Sequence, residues 1–280
     1  MLVLFADLTR QAVVVRSLDD RLCDCEDKTM CGRFALTVTP DEIVEAFGLH
    51  ELEAFPPRFN IAPTQPILTV GNGEVPMVGS NLPTRRALLV RWGFLPGWVK
   101  DPSDFPLLIN ARSETAQTKA SFRGAMRHRR VLIPASGFYE WYRPAKESGE
   151  KPQAYWIRPT QGGIVAFGGL VETFAAADGS EIDTGAILTT SANRSIRAIH
   201  DRMPVVIGPE DFERWLDCKR QEPRHVADLL KPAGEDMFEA IPVSDKVNKV
   251  ANTGPDVQVR VENPMPKAET QSPSEQLSLF

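Results

Sequence analysis

Cys31, with Met30 before it and Gly32-Arg33-Phe34 after it, is the first place in this sequence where chemistry can begin. An internal cysteine is most often a small buried hydrophobe. A cysteine behind a methionine becomes the first residue when translation starts at that methionine and the methionine is then trimmed. It would then carry two nucleophiles on adjacent carbons, a thiol of pKa about 8.5 and an α-amine of about 7.7–8.0. Both are partly in their reactive forms near neutrality. The amine condenses with an aldehyde to a Schiff base, and the thiolate closes on the same carbon to give a five-membered thiazolidine. A cysteine whose nitrogen is an amide cannot do this.

Three polar segments, each behind an apolar stretch, could complete a catalytic set: residues 107–115 with Asn110, residues 137–141 with Glu140, and residues 199–204 with His200. Glu140 lies between aromatic neighbours, where partial desolvation would raise its pKa toward a value useful for proton transfer. His200 sits beside Asp201 at the end of a helical pattern and before a strand. Asn110, at a strand end, is a turn residue or an orienting hydrogen-bond donor. Cys23-Asp24-Cys25 with Cys31 supplies three sulfurs at a spacing unsuited to a metal and without a nearby histidine.

The 280 residues carry 32 basic and 37 acidic side chains, a net charge of −5, which on average argues against a nucleic-acid partner. The average hides a block. Between Thr84 and Arg130 ten bases stand against Asp101, Asp104 and Glu114, which makes either a solvated face or a polyanion-binding surface. The apolar runs are far shorter than the roughly 20 residues that cross a bilayer. The start lacks the layout of a secretory signal, so a cytoplasmic protein is expected. Four cysteines, unevenly spaced, do not make a disulfide framework.

The elements that must position these residues are short. Thr39-Pro40-Asp41-Glu42 combines an N-cap, proline at the first helical position and a capping-box glutamate, which predicts a helix ending at Gly48. Strands are predicted at 67–70, 87–94, 107–109, 131–133, 154–158, 164–171, 186–190 and 204–207. Helical patterns fall at 115–127, 193–200, 209–216 and 224–230, too irregularly for repeating βαβ units. The expected class is α+β: a strongly curved, mostly antiparallel sheet or open β-barrel with flanking helices. Residues 1–29 read as a leader absent from the mature protein, 30–263 as the catalytic domain, 264–275 as a polar linker and 276–280 as a terminal peptide.

Six blocks in order, Cys31-Gly32-Arg33-Phe34, residues 58–63, residues 92–96, Asn110-Ala111-Arg112, residues 137–141 and residues 200–204, resemble the SOS-response-associated peptidase (SRAP) family. The resemblance implies a sensor and shield of abasic sites in single-stranded DNA, with Cys31 as covalent nucleophile and Asn110, Glu140 and His200 completing the site. It implies no metal or organic cofactor. Arg33, Arg112 and Arg202 would contact phosphates, Asn60 and Pro63 would line the same groove, and Trp98 would stack on a base. Where the family can show paired aromatics, this chain has Trp98-Val99.

The last residues, Gln276-Leu277-Ser278-Leu279-Phe280, resemble the pentapeptide by which bacterial repair proteins bind the replication sliding clamp. Leu279 and Phe280 would insert in an apolar cleft and Gln276 would fix orientation, with Leu277 also part of the clamp-binding set. Docking there would place the protein on the nucleoid at stalled forks. A thiol peptidase or amidohydrolase using Cys31 with His200 is the competing reading.

Overall fold

Pairing between segments far apart in the sequence builds two sheets from short strands in the computed structural model, which describes residues 32–73, 84–149 and 151–262. The first elements are β1 (Arg33–Leu36), α1 (Pro40–Phe47), β2 (Arg58–Ile61), β3 (Pro66–Asn72) and β4 (Arg85–Trp92). Then come β5 (Asn110–Arg112), α2 (Ser113–Ala116), α3 (Arg123–His128), β6 (Arg130–Ala135), β7 (Gly137–Tyr142) and β8 (Gln153–Pro159). The last are β9 (Val165–Ala175), β10 (Glu181–Ser191), α4 (Arg194–Arg197), β11 (Arg202–Pro204), β12 (Val206–Ile207), α5 (Phe212–Leu216) and β13 (Phe238–Val243).

One sheet has the order β13-β8-β7-β1-β2. In the other, β10, β4, β3, β6 and β9 follow one another, and β9 pairs back onto β10 to close a five-stranded barrel. The expected curved, mostly antiparallel sheet is therefore present. Its exceptions are the parallel pairings of β4 and β5 with β10. Phe34 of β1 packs edge-on against Trp92 of β4 at 5.2 Å and against Phe167 of β9 at 6.4 Å, so one core joins both sheets. A smaller cluster around Tyr139, Trp156 and Val247 covers the far face of the five-stranded sheet.

Helix α1 forms as its local signals require: the Thr39 hydroxyl accepts the Glu42 N–H, the Glu42 carboxylate accepts the Thr39 N–H, and Gly48 takes the left-handed conformation at the C-cap. Other expectations need correction. The predicted strand at 107–109 begins instead at Asn110, and Leu108 makes only an isolated bridge to Phe94. The helix predicted over 115–127 breaks into α2 and α3. The Thr118 hydroxyl donates back to the Thr115 carbonyl, and Phe122 is drawn into the core against Phe94 at 5.2 Å. The pattern at 224–230 is a 3₁₀ helix over Pro223–Leu229. The strands β1, β2, β5, β7 and β13 were not anticipated. Among the described residues no helix is long and apolar enough to cross a membrane. The expected leader, linker and terminal peptide lie outside the described residues.

Candidate active site

Glu140 comes from β7, in the middle of the five-stranded sheet. Phe138 and Glu140 share one face of this strand by its two-residue period, and Phe138 points into the core joining both sheets. Tyr139 faces the other way, its ring 4.7 Å from Trp156 and its hydroxyl donating to the Phe59 carbonyl at 2.6 Å. Burial pushes the Tyr139 phenol well above its ordinary pKa of 10.0. Glu140 is 2% exposed, so its carboxyl is withdrawn from bulk water. The strand starts at Gly137, whose φ of 152° suits glycine alone, and an added Cβ would collide with the Ile157 carbonyl oxygen and the Trp156 ring.

β1 runs antiparallel beside β7 with Arg33 opposite Tyr139 and Phe34 opposite Phe138. Carried one residue further, this register sets Gly32 across from Glu140. A Cβ built on Gly32 would lie 3.9 Å from the Ile109 side chain, next to Asn110. The chain thus enters β1 between the strand of Glu140 and the strand of Asn110.

Asn110 opens β5, which lies parallel to β10 with Asn110 opposite Ile187. Its place is set from inside the core. The Trp92 indole N–H donates to the Ile109 carbonyl at 2.9 Å, and Trp92 is fully buried. The other edge of β10 carries β11, with Ser191 opposite Arg202, so β10 spans from Asn110 toward the segment that bears His200.

His200 follows α4, which Asn193 caps by accepting the Ile196 N–H at 3.1 Å. The His200 Nδ1 accepts the Arg202 N–H at 3.1 Å, which leaves the proton of the neutral ring on Nε2. Asp201 Oδ1, 3.1 Å from the same nitrogen, is the acceptor once Nδ1 is protonated. Arg202 itself makes a bidentate pair with Glu114 at 2.9 and 2.8 Å and donates to the Thr189 carbonyl at 2.7 Å. That pairing holds the Glu114 carboxyl below its ordinary value of 4.5. Glu114 and Thr189 had no role in the sequence reading. The only available signal was a carboxylate two residues beyond Arg112.

The remaining expected contacts fall into two groups. Arg112 and Trp98 are exposed, Trp98 by 57%, and Trp98 stands edge-on against Phe105 at 5.6 Å. Val99 turns inward beside Leu95 and Phe174. Asn60, by contrast, is 3% exposed, and its amide nitrogen faces the carbonyls of Val247, Lys249 and Asn252 at 3.0–3.2 Å. Arg33 reaches the Val247 carbonyl at 3.3 Å, and desolvation lowers its pKa. Trp141 donates to Asn248 at 2.8 Å. These three side chains anchor the loop after β13. Pro63 is partly exposed at the turn after β2. Cys31 and residues 276–280 lie outside the described residues.

The fold supplies a buried carboxyl, an imidazole whose Nδ1 is held by a backbone N–H, and an amide, groups that can move and orient protons. Comparison with known proteins narrows this. Residues 30–250 match the family described as SOS response associated peptidase (SRAP). The chain is 37% identical over 231 residues to the Bacillus subtilis abasic site processing protein YoqW, covering 81% of this chain and 98% of that one. It is 31% identical over 235 residues to the Escherichia coli abasic site processing protein YedK, covering 80% and 97%. A crystal structure of a protein from Bordetella bronchiseptica, 26% identical, superposes with a TM-score of 0.62 over 76% of this chain and 100% of that one.

Proposed function

The chain belongs to the SOS response associated peptidase family, and from that premise we propose that it senses and shields abasic sites in single-stranded DNA by covalent capture. The observation that carries the proposal is the entry of β1: its register sets Gly32 across from buried Glu140, with the Ile109 side chain beside it. The family match begins at Met30. Start at Met30, or removal of residues 1–30, would make Cys31 the terminal aminothiol.

Abasic deoxyribose is mostly a closed hemiacetal. In the proposed sequence Glu140 moves the proton that opens the ring, and the His200 Nε2–H donates to the hydroxyl that opening releases. Asn110 orients the α-amine as it adds to the aldehyde carbon and water leaves. The Cys31 sulfur then adds across the C=N bond, its proton passes to nitrogen, and the thiazolidine is complete. Trp98 stacks on a base and Arg112 pairs with a phosphate. Arg33, Asn60, Pro63 and Arg202 line or brace the same groove. Lyase chemistry would branch at the imine by β-elimination, and self-processing at Cys31 is the peptidase activity in this scheme. Residues 276–280 would carry the protein to the sliding clamp at stalled forks on the nucleoid, which a pull-down after their deletion tests.

The central test is a denaturing gel and intact mass of protein started at Met30, incubated with an abasic oligonucleotide. A shifted band losing one water relative to the sum of the partners supports the proposal. No adduct, or equal trapping by protein that retains residues 1–30, ends it. Amide cleavage without any dependence on an aldehyde would favour a thiol hydrolase instead.

A further inference from the structure

The basic block of the sequence does not form one surface. Arg85 donates to the Phe47 carbonyl, Arg129 pairs with Glu172, and buried Arg130 donates to the carbonyls of Trp215, Met126 and Gln221. Among the exposed bases of the block, Lys119, Arg123 and Arg127 recur four residues apart in the α2–α3 region. The Lys119 carbonyl accepts the Phe122 and Arg123 N–H groups, so the row continues through the turn into α3. A second wall faces it from far along the chain. Pro223–Leu229 brings Arg224 opposite Arg123 and Arg127, and together with Gln117, His128 and Glu222 they line an open cleft of about 480 Å³.

Glu222 bridges the two walls, 3.4 Å from Arg127 and 3.1 Å from Arg224. Three guanidinium groups face one carboxylate in this cleft, which leaves two net positive charges with His128 neutral. Small-molecule sites are mostly apolar and enclosed. This cleft is lined by arginine forks, which match phosphate oxygens. Gly124 adds a separate observation. It is the second residue of α3, and glycine is a weaker helix former than alanine. A Cβ built there meets nothing within 4 Å, so packing does not demand glycine. A ligand backbone lying close against α3 would.

We propose that the cleft between α3 and Pro223–Leu229 binds the sugar–phosphate backbone of single-stranded DNA flanking the lesion. The abasic-site reading supplies the identity of the strand. In sequence the cleft follows the site directly, with only α2 and the turn after it between Arg112 and Arg123.

The test is fluorescence anisotropy of the full chain with undamaged single strands, short and long, over a range of salt. For Arg123→Gln with Arg224→Gln, each lost phosphate contact lowers the salt slope by about 0.7, so the double variant falls by about 1.4 on long strands. If the binding curves converge at 1 M salt, this is about a 25-fold loss at 0.1 M. Gly124→Ala should raise the melting temperature and still weaken long-strand binding, a combination that misfolding cannot produce. Short lesion-bearing strands should cross-link at the wild-type rate in all variants. Wild-type slopes on long strands would overturn the proposal, as would a loss confined to duplex DNA. Absence of cross-linking by wild type would fall on the abasic-site reading and leave the slope test standing.

Discussion

Replacing Glu114 by Gln probes how far the bracing behind His200 matters. The variant keeps the shape of the side chain and one acceptor oxygen but loses the charge that Arg202 grips with both arms at 2.8 and 2.9 Å. Hydrogen bonds to charged groups contribute roughly 1.5–3 kcal/mol, and exposed ion pairs only about 0.2–1. Here Arg202 is 14% exposed and Glu114 49%, so half of the pair is screened by water and about 1 kcal/mol is the reasonable figure. For a domain of this size that is a melting temperature lower by about 2–4 °C near pH 7. The Glu114 carboxyl stands below its ordinary value of 4.5, chiefly through its hydrogen bond to Arg202. Its contribution is therefore complete above that value and disappears as pH falls through the lower folded one. Protonated Glu114 is nearly Gln, so the two melting curves should converge in acid. Because the Arg202 N–H holds His200 Nδ1, cross-linking near pH 7 should also slow, by at most about fivefold if all of the lost energy is felt in the transition state. A gap in melting temperature that stays constant from neutrality into acid would refute the reasoning.

Trp98→Ala should leave stability within about 0.5 kcal/mol, since the ring is 57% exposed, and weaken single-strand binding by about 1–3 kcal/mol in an anisotropy titration. The reverse pattern would make Trp98 a packing residue. Trp92→Phe removes one of two donors to the Ile109 carbonyl, which keeps the Ile187 N–H at 3.0 Å, so a denaturant titration should show a loss of about 0.5–1.5 kcal/mol before any cost of the smaller ring is counted. Gly137→Ala must move β7 or the Ile157 carbonyl, so soluble yield and melting temperature should both fall, with Glu140 displaced and cross-linking lost. Unchanged yield and activity would show that the strand accommodates a side chain at that φ.

How much of this was legible beforehand depended on how far the interactions reach along the chain. Helix α1 was readable because its determinants lie within a turn of one another: Thr39 and Glu42 cap each other, Pro40 starts the helix and Gly48 stops it. Strands such as β6 and β8 were visible as apolar runs. β7 was not, because the run Phe138 to Trp141 packs against both cores and so shows no alternation, and β5 is only three residues long with its partner on β10. Residue types singled out Cys31, Asn110, Glu140 and His200 as candidates, and the order of their local motifs carried the family resemblance that implied their roles.

Tertiary structure decided where charge and geometry ended up. Closure of β9 onto β10 fixes the strand that places Asn110 on one edge and the His200 segment on the other. Arg130 vanished into carbonyl contacts, while Arg224 arrived from just over a hundred residues away to face Arg123. Hydrogen-bonded turns and amphipathic faces are settled between neighbours, so a sequence displays them. The desolvation of an arginine or a carboxylate depends on which distant segments bury it, and only the folded chain determines that.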